Sequence, residues 1–159
     1  MLVDNYLLLK YIHIICAFVL SGTGAGIAFF MLMASRTKNI SAISVTARHV
    51  ILADWIFTTP AVIGQFITGV LLMRYLHYSF TSIWFLSVAS LFLFIGCCWI
   101  PVVFIQYKLK KMAEASEITG ELNEGFYFAM KWWVTLGVPA FIGILVMLWL
   151  MVFKPFPVI

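Results

Sequence analysis

Four apolar stretches of this chain are each long enough to cross a bilayer, and they leave room for little else: Tyr6 to Ala34, Val50 to Leu76, Phe80 to Ile105 and Trp132 to Phe153. About 20 apolar residues suffice for a helical span. Inside hydrocarbon every backbone N–H and C=O must be satisfied within the segment, so such stretches fold as helices. The chain therefore reads as an all-α membrane protein, one four-transmembrane-helix up-down bundle over residues 1–159. Only 10% of its residues are charged, against the roughly 25% of soluble domains. The first stretch is too long for a cleavable signal peptide and carries Lys10 and His13 at its start, so it is expected to remain as a span.

Basic residues divide unevenly between the two ends of such a bundle. Arg36, Lys38, Arg48, Lys108, Lys110, Lys111 and Lys131 gather at one end, and Lys10, Arg74 and Lys154 at the other. Lys and Arg are retained on the cytoplasmic side, so both long polar connections are expected in the cytoplasm and both termini on the periplasmic side of a bacterial inner membrane. This bias accounts for the net charge of +4 and gives no support to nucleic-acid binding.

The connection around His77, Tyr78 and Ser79 is short enough to make the second and third spans antiparallel neighbours. The segment KLKKMAEASEITGELNEG is expected to extend the third helix and then turn near Gly120 and Gly125. Pro60, Pro101 and Pro139 each remove a backbone donor and should bend their helices. Gly22 and Gly26 form a small-xxx-small pair in the first span, which fits close helix packing and permits a homo-oligomer. Cys16, Cys97 and Cys98 lack metal or redox spacing and read as apolar packing residues.

Function must lie in the polar residues at membrane depth, which tend to face protein or a cavity. His13 shares a helix face with Tyr6, Ala17, Leu20, Gly24 and Met31, with Lys10 at its edge. Small residues beneath the imidazole permit either a close neighbouring helix or a flat ligand. Asp54, Thr58, Ala61, Gln65 and Thr68 form one stripe on the second span. Arg48, His49 or Lys131 could pair with Asp54 as a buried polar group, and Gln65 could bond another helix, a polar ligand or a quinone headgroup. His49 and His77 point away from that stripe on a regular helix. Phosphate loops, nucleophile elbows and His-Glu metal helices are absent. What remains is haem or porphyrin binding, quinone contact, solute passage, or assembly with another membrane protein.

The segments LLLKYIHII, ADWIFTTPAVIGQFITGVLLM and WWVTLGVPAFIGILVMLWLMVFKP closely resemble a bacterial family of small four-span membrane proteins, domain of unknown function 2269. A more distant similarity links Lys10 and His13, Pro60 and Gly69, Asn123 and Glu124, and Lys154 to Phe156 with the HemJ-type membrane protoporphyrinogen oxidases; the Leu-Pro-Arg segment after the first helix of that family is missing here. The resemblance implies haem b on His13. The resulting expectation is a haem- or porphyrin-binding redox protein, protoporphyrinogen-oxidase-like or quinone-linked. His13 would be the axial ligand to the haem iron, Lys10, Arg74 or Lys154 would lie near the propionates, Gly24 and Gln65 would line the site, and His77 would be the second histidine on that side. The alternative is a non-catalytic accessory subunit with a tightly packed interior and a membrane-protein partner. A transporter is a weaker third reading, since no inverted repeat is visible.

Overall fold

The computed structural model describes the backbone of residues 2–158 and the side chains of residues 5–158. Among the described residues all regular structure is helical: α1 (Leu2–Thr37), α2 (Ile40–Ala53), a π-helical turn (Asp54–Thr58), α3 (Thr59–Tyr75), α4 (Ile83–Thr119) and α5 (Glu124–Phe153). The π turn joins α2 to α3 without a break, so four helices are long and apolar enough to cross a membrane. Large apolar side chains such as Phe18, Phe104 and Val152 point outward. Such a surface suits hydrocarbon contact.

Short polar residues start the helices where the chain turns. Asn39 accepts the Ala42 N–H through Oδ1 at 3.1 Å, Ser82 accepts the Phe85 N–H at 3.2 Å, and Asn123 accepts the Phe126 N–H at 2.9 Å. Each satisfies one of the donors that a helix N-terminus leaves free. Gly120 ends α4 in the left-handed region at φ 79°, as a glycine does most cheaply.

Several sequence expectations are corrected here. The first polar connection is not a long loop: the helix breaks only at Lys38 and Asn39, and Arg48 and His49 lie within α2. Helix α4 does run on to Thr119 and turn at Gly120, but Gly125 already belongs to the first turn of α5. Gly22 and Gly26 do not mediate close packing within the chain, since a Cβ at either would meet nothing within 4 Å. The small residues that bring helices together are on the opposing helices. A Cβ on Gly64 of α3 would lie 2.8 Å from Cys16 Sγ of α1, and one on Gly143 of α5 would lie 2.8 Å from Ile95 of α4.

The helices pair as α1 with α3 and α4 with α5, and α2 packs against both α1 and α4. The second and third spans are thus neighbours through α2, at the end away from their own short turn. Among the described residues no closely spaced backbone pair joins α3 to α4; they meet through long side chains such as Phe66 and Phe92, with ring centroids 6.0 Å apart. The core lies at the closed end, where Met31, Ile43, Leu109, Ala113 and Phe126 are almost fully buried. Toward the other end the two pairs diverge. At that end α4 and the turn before it are pinned to the end of α5: Trp84 Nε1 donates to Leu150 O at 2.9 Å, Lys154 Nζ to Tyr78 OH at 3.0 Å, and Ser79 N–H to Val158 O at 3.1 Å.

Candidate functional site: a cleft with unpartnered polar atoms

Between the diverging pairs lies a cleft of about 710 Å³. Its walls are mostly aliphatic and aromatic, with Leu20, Ile95, Phe92, Trp99 and Phe141 among the lining residues. Residues that the sequence placed on the face of His13 form part of one wall: Ala17, Leu20 and Gly24 line the cleft, while Met31 continues the same face into the core.

Among the described residues, five buried side-chain atoms have no hydrogen-bond partner: Asp54 Oδ2, Thr58 Oγ1, Gln65 Oε1, Gln106 Oε1 and Trp133 Nε1. All five residues line this one cleft. Buried polar atoms are almost always paired, and leaving one unpaired costs about 1–3 kcal/mol. Their convergence gives a largely apolar space polar groups on its walls. Asp54, Thr58, Gln106 and Trp133 are each at most 5% exposed, and Thr58, Gln106 and Trp99 stand beside the Asp54 carboxyl. This inner station therefore offers acceptors on Asp54 and Gln106 and donors on Thr58 and Trp133.

The π turn places Asp54 and Thr58 there. Pro60 has no N–H to give the Ile56 carbonyl, and the Thr59 N–H reaches back five residues to Asp54 O instead of four. Such single wide turns recur at functional sites.

His13 stands behind the outer wall. Its Nδ1 lies 2.8 Å from Thr68 Oγ1 and its Nε2 lies 2.9 Å from Gln65 Nε2. Thr68 Oγ1 donates to Gly64 O at 2.6 Å, so it accepts from His13 Nδ1–H. In the neutral ring Nε2 is then the lone-pair nitrogen, and the Gln65 amide N–H donates to it. Gln65 turns its remaining oxygen toward the cleft, without a partner.

The sequence-named residues thus separate. Asp54, Gln65 and Gly24 line the cleft, and His13 orients Gln65 from behind. Lys10, Arg74 and His77 are exposed and lie outside the cleft lining. Lys10 sits 5.8 Å from the Tyr6 ring centroid, and His77 occupies the turn after α3 at φ 53°. Asp54 makes no ion pair among the described residues. Arg48 reaches Glu114 of α4 instead, at 4.0 Å, because α2 turns it to the exposed side, and His49 lines a separate groove of about 420 Å³ between α1 and α2. Gln106, Trp133 and Trp99 escaped the sequence reading. The one available signal was Gln106, a lone amide directly after the apolar run of the third span.

The match to a known family covers almost all of this architecture. The chain belongs to the family described as "Predicted integral membrane protein (DUF2269)", whose model matches residues 7–155. That span takes in every residue of the cleft. No curated protein and no solved structure matches the chain.

Proposed function

We propose that this protein binds a lipid-soluble quinone or quinol in the cleft between its two helix pairs, as a multi-pass protein of the bacterial inner membrane. The observation that carries the reading is the convergence of five unpartnered polar atoms on one largely apolar space. A quinone ring suits that combination. Its carbonyl oxygens accept from Trp133 Nε1–H and the Thr58 hydroxyl, its reduced hydroxyls donate to Asp54 and Gln106, and its isoprenoid tail needs only apolar walls. Phe92, Trp99 and Phe141 supply flat surfaces against which a ring packs.

Quinones quench tryptophan fluorescence, and two tryptophans line the site. Purified protein in lipid nanodiscs is expected to show saturable quenching by a short-chain quinone, weakened about tenfold or more in Gln106→Leu and Trp133→Phe. Quenching that rises linearly without saturation, as partition into lipid produces, would refute the reading.

Haem b on His13 fits these residues less well. Gln65 occupies the lone pair of Nε2, and no lysine or arginine is among the cleft-lining residues to meet two propionates. A Soret band in a haem-replete preparation, lost in His13→Ala, would establish haem and displace the quinone reading. The accessory-subunit alternative calls for a tightly packed interior, and a cleft of about 710 Å³ runs against it.

A further inference from the structure

The polar atoms of the cleft do not form one cluster. Asp54 and Gln65 are eleven positions apart on one continuous helix, so along its axis they are separated by about 16 Å. No single ring reaches both. Between them the second span presents Val62 to the cleft. The inner station, with Asp54, Thr58, Gln106 and Trp133, offers donors and acceptors alike. Gln65 is different, because its neighbours remove its choice.

A free glutamine amide can turn over and present either oxygen or nitrogen. Here a chain of hydrogen bonds fixes it. The Thr68 hydroxyl hydrogen goes to Gly64 O, which makes Thr68 Oγ1 an acceptor for His13 Nδ1–H, which leaves His13 Nε2 an acceptor for the Gln65 N–H. Turning the amide over would set the Gln65 oxygen against the Nε2 lone pair. The ring is held in place by close packing as well: a Cβ on Gly69 would lie 3.4 Å from His13 Cε1. Gln65 Oε1 therefore faces the cleft as an acceptor only.

Building on the quinone reading, we infer that Gln65 is a second polar station in the cleft, held by His13 and Thr68 in an accepting orientation, and that it selects the hydroxylated, reduced form of the ligand. A hydroquinone donates its O–H to Gln65 Oε1. A quinone carbonyl placed there meets another oxygen and gains nothing. His13 is a positioning residue in this arrangement, acting on the ligand through Gln65.

Isothermal titration of the purified chain in nanodiscs, under anaerobic conditions and against empty nanodiscs, compares a short-chain hydroquinone with the matching quinone. The wild-type chain is expected to prefer the hydroquinone by about tenfold, the worth of one well-made buried hydrogen bond. Gln65→Leu should abolish that preference. Thr68→Val, close in shape, keeps Gln65 but frees the imidazole to change tautomer, and should abolish the preference as well; a loss of overall stability alone would not move this ratio. Equal affinities in the wild type, or a preference that survives Thr68→Val, overturn the selecting role of Gln65 while quinone binding keeps the cleft reading intact. Absence of saturable binding by either form overturns both.

Discussion

At the scale of single residues, this interior is tuned by what is missing as much as by what is present. Gly64 lets α1 approach α3 so closely that Cys16 Sγ occupies the space of a side chain. Gly64→Ala is expected to lower stability by about 1–3 kcal/mol through overpacking, and Cys16→Ala in the same chain should restore most of it. Thermal unfolding in detergent checks both. Asp54 presents the reverse case, a carboxyl oxygen buried without a partner. Asp54→Leu removes that oxygen and should weaken quinone quenching. A variant that lost stability and kept its quenching would show that Asp54 serves the fold and not the ligand.

At the scale of elements, the second span differs from the others in carrying a wide turn. A π turn amounts to one extra residue in an α-helix, and Asp54 to Thr58 hold it just before Pro60. Deleting Ile56, an exposed residue of that turn, should close it to an ordinary α-helix and keep α2 and α3 in register with their partners. The expected outcome is undiminished helicity by circular dichroism together with weakened ligand quenching, since Asp54 and Thr58 turn relative to the cleft. The α4–α5 pair is secured differently. Trp84 donates across it to the Leu150 carbonyl, and Trp84→Phe should cost about 1 kcal/mol in unfolding measurements from the lost hydrogen bond.

At the scale of the whole molecule, two helix pairs close at one end around a packed core and diverge at the other around the cleft. The closed end carries Arg36, Lys38, Arg48, Lys108, Lys110, Lys111 and Lys131, and the bias of Lys and Arg predicts that this end faces the cytoplasm. A periplasm-active reporter fused after Val158 is expected to be active, and one inserted at Gly120 inactive. The opposite pattern would invert the orientation and with it the side to which Gln65 and His13 lie nearer.

Much of this was legible in the chain itself. Apolar runs longer than a bilayer is thick admit one secondary structure, so the four spans follow from residue type alone. Helical periodicity likewise placed Ala17, Leu20 and Gly24 on the face of His13, and Asp54, Thr58, Gln65 and Thr68 on one stripe. What periodicity cannot carry is which faces meet. It assigns an angle around one helix axis and says nothing of a neighbour's rotation or depth. Whether His13 would meet iron, another histidine or the glutamine of the facing stripe was decided by the pairing of α1 with α3, which Gly64 and Gly69 permit. The same holds for the cleft. Gln106 and Trp133 come from two other helices, and only the divergence of the two pairs leaves their polar atoms, with those of Asp54, Thr58 and Gln65, facing one shared space.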